Sequence, residues 1–153
     1  MLTFQDVSTV CPNFRGAKDE QIRFHSLLLD LSLNGEKGLF IALTSFDILK
    51  AIEQGAIAAM WPSNQPLPAA VPTLFPVFFV ERVDEALLTL LKTYLQKLNK
   101  EEWEQMTNIV FTKDKLLNDW IKTYDRAIKK EIFRCITKLQ QHINRKKGGD
   151  KRC

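Results

Sequence analysis

The chain has 153 residues, of which 45% are hydrophobic and 26% charged, and this composition is typical of a globular protein and excludes an intrinsically disordered one. The net charge of +4 comes from the last third of the sequence, because residues 1–99 contain more Asp and Glu than Lys and Arg. The three cysteines are widely spaced, which excludes a disulfide framework and a CxxC zinc site.

The first residues do not resemble a signal peptide, since Asp6 stands where a basic segment would precede an apolar core. No uncharged apolar run approaches the roughly 18 residues that are needed to span a bilayer. We therefore expect a cytoplasmic protein. Cys11 and Cys135 are interpreted as small buried apolar groups and not as nucleophiles.

The chain begins with the pattern of a short helix followed by a strand. Thr3 is a suitable N-cap with Asp6 three residues later, which is close to a capping box. Cys11-Pro12 ends this helix, because a residue before proline avoids the helical conformation. Residues 21–29 first alternate between polar and apolar side chains and then become wholly apolar. This is expected of a strand whose end is buried on both faces.

Residues 38–61 form the clearest unit, in the order strand, helix, strand. A polar loop over residues 30–37 precedes it, and Gly55 is the natural end of its helix. Residues 38–43 are apolar and predict the first strand. Residues 56–61 are small and apolar, as expected of a central strand beneath packed helices.

The helix of this unit is predicted over residues 46–54. Ser45 is a good N-cap residue, and Phe46, Leu49 and Ile52 have the spacing of an inward-facing stripe, with Ile48 as a further candidate.

The second half begins with a proline-rich connection at residues 62–76, which excludes a regular element. A strand follows at 77–80, an amphipathic helix at 83–98 and a short strand candidate at 108–111. One long amphipathic helix is then predicted over 113–145. Its apolar residues, at spacings of three and four, are Leu117, Trp120, Ile121, Tyr124, Ile128, Ile132, Phe133, Ile136, Leu139 and Ile143.

Strands that alternate with helices predict an α/β fold with a small mixed or parallel sheet flanked by helices and a long C-terminal amphipathic helix. We expect an α/β domain at residues 1–99, a helical extension at 100–146 and a basic disordered tail at 147–153.

Several phrases in this order resemble the N-terminal domain of the Mur ligases, which binds UDP-N-acetylmuramoyl precursors of peptidoglycan. The phrases are LTFQDV, IRFHSLLLD, GLFIAL, ILKAIEQGAIAAMW and FFVERVDEALLTLLKTYL. The resemblance covers residues 1–98, and it is nearest to the ligases that add the third residue and the terminal dipeptide. It implies the domain's α/β fold and a UDP-sugar ligand.

Two departures from this family bear on function. The family's Asp-Ser-Arg loop reads Asp30-Leu31-Ser32 here, so that the phosphate-clamping arginine is replaced by serine. The family's ATPase domain has a glycine-rich phosphate loop, whereas no glycine occurs between Gly55 and Gly148. The resemblance therefore implies a degenerate, stand-alone relative without ligase activity.

The candidate ligand-binding residues lie at the predicted strand ends and the start of the following helix. They are Asp30, Ser32, Thr44, Ser45 and Phe46. Asp30 and Asp47 are better explained as a loop acid and a first-turn acid than as a catalytic pair. No catalytic residue, metal site or cofactor is predicted. The expected function is a non-catalytic binding or regulatory module linked to peptidoglycan precursor metabolism.

The predicted C-terminal helix leaves three alternatives open. Its apolar stripe over 113–145 packs on this domain or on a second copy in a homodimer, or it binds another protein. The third alternative is that its basic residues contact nucleic acid or an anionic membrane surface. These are Lys129, Lys130, Arg134, Lys138, Arg145, Lys146 and Lys147. A protein-interaction module without nucleotide-sugar binding is the alternative function.

Overall fold

The structure is a computed structural model that describes residues 1–100, 106–121 and 125–150, with side chains for 1–98, 106–121 and 125–142. Eight strands and five helices follow one another along these residues. The strands are β1 (Leu2–Thr3), β2 (Phe14–Arg15), β3 (Arg23–Phe24), β4 (Ser26–Leu28), β5 (Gly38–Ile41), β6 (Ala56–Pro62), β7 (Val77–Val80) and β8 (Asn108–Val110). The helices are α1 (Phe4–Val10), α2 (Ile48–Glu53), α3 (Val83–Lys100), α4 (Lys113–Asn118) and α5 (Arg126–Asp150).

The main sheet has six strands in the order β2-β7-β6-β5-β4-β8. Strands β7, β6, β5, β4 and β8 are parallel neighbours, and only β2 is antiparallel to its neighbour. The α/β class with a mixed sheet flanked by helices is thus confirmed. The chain steps across the sheet from β4 to β7 and then returns to place β8 on the other side of β4.

The sheet has a packed apolar core on each face. One core joins β4, β5 and β6 to α1, α3 and α5 and includes the buried residues Leu27, Leu39, Met60, Leu91 and Ile136. The other core joins the opposite faces of these strands to α2 and the proline-rich connection. Burial of strand residues on both faces explains why the central strands lack polar alternation.

The N-terminal helix has the predicted capping box. The Thr3 hydroxyl accepts a hydrogen bond from the Asp6 N–H at 3.1 Å, and the Asp6 carboxylate accepts one from the Thr3 N–H at 2.9 Å. The helix ends at its C-cap, Cys11, before proline as predicted. The predicted strand at 21–29 is divided at His25 into β3, which pairs with β1, and β4, which enters the main sheet.

Helix α2 begins later than predicted, and the assignment of Ser45 as its N-cap is wrong. The N-cap is Asp47, whose carboxylate accepts from the Lys50 N–H at 3.1 Å. The Ser45 hydroxyl instead accepts from the Asp47 N–H at 2.9 Å. The candidate Ile48 lies in the core, whereas Leu49 is 39% exposed, contrary to the predicted inward stripe.

The single long helix predicted over 113–145 is also wrong, because α4 ends at its C-cap, Asp119. The Ile121 N–H donates to the Leu43 carbonyl at 2.9 Å, so a bond to the sheet edge replaces a helical bond. Helix α5 starts after Asp125, whose carboxylate accepts from the Ala127 N–H at 2.8 Å. The predicted stripe residue Tyr124 lies outside the described residues, as do the side chain of Ile143 and the end of the predicted tail.

Helix α5 packs against α3. Ile132, Cys135, Ile136 and Leu139 are buried in the core that they share with α3 and the sheet. The part of the predicted apolar stripe from Ile128 to Leu139 therefore packs within the chain. The domain boundary at residue 99 stays a prediction, but the residues on its two sides share one sheet and one core.

In the described part of the chain, no helix is both long and apolar enough to cross a membrane.

Helix packing predicts unequal effects of two identical substitutions. Leu139 is 1% exposed and Leu117 is 45% exposed, although both belong to the predicted stripe. We expect Leu139→Ala to lower the free energy of unfolding by about 2–5 kcal/mol, since it leaves a cavity between α5 and α3. Leu117→Ala should cost less than about 1 kcal/mol. Urea unfolding followed by circular dichroism measures both, and equal losses would contradict the packing.

Candidate functional site

The carboxyl-terminal edge of the parallel sheet is the first candidate site. Strand order reverses between β4 and β8, since the chain leaves β4 towards β5 and later returns to the other side of β4. Ligands of open α/β sheets bind outside the carboxyl ends of strands at such a reversal. The candidate residues Asp30, Ser32, Thr44, Ser45 and Phe46 follow β4 and β5, so the fold brings all of them to this edge.

Asp30 lies at the reversal itself and is fully buried. One carboxylate oxygen accepts from the Ser32 N–H at 2.9 Å, which forms a tight turn after β4. The other oxygen accepts from the Thr112 N–H and, at 3.2 Å, from the Thr112 hydroxyl. Both oxygens therefore bind the chain itself, and Asp30 joins the end of β4 to the end of β8.

The sequence alone does not indicate that Thr112 is important for this edge. Thr112 is the N-cap of α4, but its hydroxyl makes no capping bond and turns to Asp30 instead. A threonine directly after a strand is a weak signal by itself. Only the pairing of β8 with β4 shows that Thr112 and Asp30 meet.

This edge can offer a ligand hydroxyl groups and one aromatic ring. Ser32 is exposed, and Thr44 and Ser45 are half-buried. The Thr44 hydroxyl donates to the Leu29 carbonyl at 3.1 Å, which leaves its oxygen able to accept. Phe46 is half-buried with its ring centroid 5.5 Å from that of Trp61, and the indole N–H of Trp61 donates to Gln65 at 2.9 Å.

The arginine at this edge is engaged by acidic neighbours. Arg82 follows β7 and forms ion pairs with Asp84 at 2.8 Å and with Glu85 at 3.1 Å. The hydrogen bond to Asp84 is the main cause that raises the pKa of Arg82. Lys113, which follows Thr112, is exposed. The edge thus presents mainly neutral hydrogen-bonding groups and no free arginine that could clamp a phosphate among the described residues that follow β4, β5 and β7.

Two buried cysteines lie away from this edge, in the core between the sheet and its helices. Burial raises the pKa of Cys11 to about 11 and also raises the pKa of Cys135. Thiols of this kind stay protonated at neutral pH and are poor nucleophiles. Their predicted burial is confirmed.

Over the residues that the structure describes, no three His, Cys, Asp or Glu side chains are grouped so that they could hold a metal ion. The sequence was also compared with models of protein families and with curated proteins, and neither comparison finds a match.

The bonds of Asp30 predict that its charge stabilises the fold. Asp30→Asn keeps the size of the side chain but places an amide NH2 against a donor, either the Ser32 N–H or the Thr112 N–H and hydroxyl. We expect a loss of about 2–4 kcal/mol in the free energy of unfolding, because a buried charge-assisted bond is lost and a donor is left unpaired.

Asp47→Asn is the matched control, since Asn and Asp are nearly equivalent as N-caps and Asp47 is exposed. It should change the unfolding free energy by less than about 0.5 kcal/mol. Urea unfolding of both variants is the measurement. If Asp30→Asn lowers the unfolding free energy as little as Asp47→Asn does, the buried carboxylate does not hold β8 to β4.

Proposed function

We propose that this chain is a non-catalytic binding module that takes a polar small molecule at the carboxyl-terminal edge of its sheet. The observation that carries the proposal is the strand reversal between β4 and β8, with the exposed hydroxyl of Ser32 after β4 and the half-buried Ser45 and Phe46 after the neighbouring β5. Parallel α/β sheets bind ligands at this place for a geometric reason: the loops on its two sides diverge and leave a crevice.

The resemblance of residues 1–98 to the Mur ligase N-terminal domain suggests the ligand class. A UDP-sugar presents a flat base, a ribose and a sugar, and these match a ring for stacking and hydroxyls for hydrogen bonds. Phe46, Ser45 and Ser32 are the groups that we assign to this contact. The module would then act in peptidoglycan precursor metabolism by binding a precursor, without transforming it.

A non-catalytic role is supported by the state of the acidic groups. A general base or acid needs a carboxylate that can reach a substrate proton. Asp30 is buried and bonded through both oxygens to Ser32 and Thr112. Asp47 holds the first turn of α2. Asp30 and Asp47, the acids that follow β4 and β5, thus each have a structural task at the edge where a substrate would lie.

Titration of the full chain with UDP and with a UDP-N-acetylmuramoyl peptide tests this function. We expect shifts of backbone amide NMR signals within residues 30–46 at submillimolar to millimolar ligand. Uridine has the base and ribose of UDP but no phosphate. If neutral groups make most of the contacts, uridine should cause shifts as large as those of UDP. An unchanged spectrum at several millimolar of each ligand would contradict the proposal and favour the protein-interaction module.

Ser32→Ala and Ser8→Ala form a matched pair for the same titration. Ser32 is exposed beside Asp30, whereas the Ser8 hydroxyl donates to the Gln5 carbonyl on α1, away from the edge. We expect Ser32→Ala to raise Kd about threefold to tenfold, the value of one hydrogen bond. Ser8→Ala should leave Kd unchanged, and equal effects would remove Ser32 from the site.

A further inference from the structure

We propose that the outer face of α5 binds the phosphodiester backbone of a nucleic acid without reading the base sequence. Four exposed basic side chains form this surface, which we call the basic face: Lys92 of α3 and Lys130, Arg134 and Lys138 of α5. The opposite face of α5 is buried in the core. The proposal does not depend on the ligand that we propose for the carboxyl-terminal edge of the sheet.

Positive charge is concentrated in this helix. Residues 126–150 contain eight Lys and Arg and two acids, whereas the rest of the chain contains more Asp and Glu than Lys and Arg. Three glutamates follow α3 within residues 101–105, which lie outside the described part of the chain. Even if all three paired with α5, an excess of three positive charges would remain on that helix. A positive segment in an otherwise negative chain attracts polyanions.

The bases of α5 follow one another at intervals of four residues, at positions 130, 134 and 138. Residues four apart are neighbours on one side of a helix. With a rise of about 1.5 Å per residue, these three positions extend over about 12 Å. One strand of DNA carries a phosphate for about every 3.4 Å of axis, so the same length holds about three or four phosphates. The number of bases on the face thus matches the number of phosphates beside it.

The adjacent helix α3 contributes Lys92 to the same surface. Burial raises the pKa of the Cys135 thiol, and the nearby positive charges of Lys92, Lys138 and Arg134 act in the opposite direction. Charges that act on one buried atom lie near one another. Lys92 therefore lies beside Arg134 and Lys138, and the basic face is wider than one row of α5.

Two other charged residues of α5 are used within the chain. Glu131 forms an ion pair with Arg134 at 2.6 Å. Such a pair on a helix surface contributes little stability, so a phosphate can replace the Glu131 carboxylate beside the exposed Arg134. The Lys129 ammonium donates to the Leu117 carbonyl and lies 4.9 Å from the centroid of the Trp120 ring. Lys129 is therefore not part of the basic face.

The polarity of the outer side of α5 favours a nucleic acid over a membrane. Helices that lie in a membrane interface insert large exposed apolar residues among the acyl chains. The large apolar residues of α5 up to Leu139 are buried or half-buried, and Gln140 and Gln141 are exposed beyond them. Amide side chains contact phosphates together with Lys and Arg. Three of the four bases are lysines, whose flexible point charges follow phosphates but do not select a base.

Fluorescence anisotropy with the full chain tests the proposal on a labelled DNA duplex of about 20 base pairs, a DNA duplex of scrambled sequence and an RNA duplex. With about four phosphates neutralised, we expect a micromolar Kd at about 50 mM NaCl and a Kd about a hundredfold higher at about 200 mM NaCl. The two DNA sequences should bind equally, and the tighter of the DNA and RNA duplexes identifies the nucleic acid. No binding at low salt, or an affinity that does not fall with salt, would overturn the proposal.

Two other polyanions serve as competitors for the labelled duplex. Polyglutamate represents an acidic protein surface, and vesicles of phosphatidylcholine with phosphatidylserine represent a membrane. We expect both to bind about tenfold more weakly than the duplex, because the duplex carries about one charge per 1.7 Å of its axis. Binding of either as tight as that of the duplex would overturn the assignment to nucleic acid.

Two double variants with the same loss of charge test the location. The first, Lys92→Gln with Lys138→Gln, removes half of the basic face. The second, Lys50→Gln with Lys113→Gln, changes exposed lysines of α2 and α4 that lie outside it. At about 50 mM NaCl we expect the first to raise Kd about tenfold and lower the salt slope by about two, and the second to raise Kd less than about twofold. Equal changes would show only an effect of net charge and would overturn the assigned face.

Glu131→Gln tests the face with the opposite sign. The variant removes the acid beside Arg134, so we expect Kd for the duplex to fall about twofold to fivefold at low salt. The urea midpoint should change little, because the ion pair lies at the surface of the helix. Unchanged or weaker binding by the folded variant would remove Arg134 from the contact and overturn the basic face as defined.

Discussion

The buried carboxylate of Asp30 is the contact on which the arrangement of the chain from β8 onwards depends. Strand β8 has only three residues, Asn108–Val110, and little burial of its own. Its backbone pairs with β4, and its end is held by the bonds from Thr112 to Asp30. A buried carboxylate is stable only where donors satisfy it, and here the two ends of adjacent strands provide them.

Placement of β8 beside β4 has consequences for the helices that follow. Helix α4 begins directly after Thr112, and Ile121 then bonds to Leu43 at the end of β5. This directs the chain back across the sheet edge so that α5 lies on α3. The basic α5 is thus part of the fold through its buried face, and its polar face is what it can present to other molecules.

Much of the framework follows from local patterns, whereas the contacts between distant residues do not. The spacing of Thr3 and Asp6 is enough to predict the capping box, and the apolar runs predict β5, β6 and β7. The start of α2 depends on a competition between Ser45 and Asp47, which are both good caps, and a shift of two residues exposes Leu49. Tertiary hydrogen bonds decide the break before α5 and the partner of Asp30, and a single sequence contains no local signal for them.

The position of β8 also sets an order of events during synthesis of the chain. All three residues of β4 are buried, yet the strand that covers its outer edge lies about 80 residues further on, since Leu28 pairs with Val110. Until that segment leaves the ribosome, the incomplete sheet exposes an apolar strand edge with unpaired backbone groups. The fold therefore carries a co-translational aggregation hazard that ends only when β8 has left the ribosome and paired with β4.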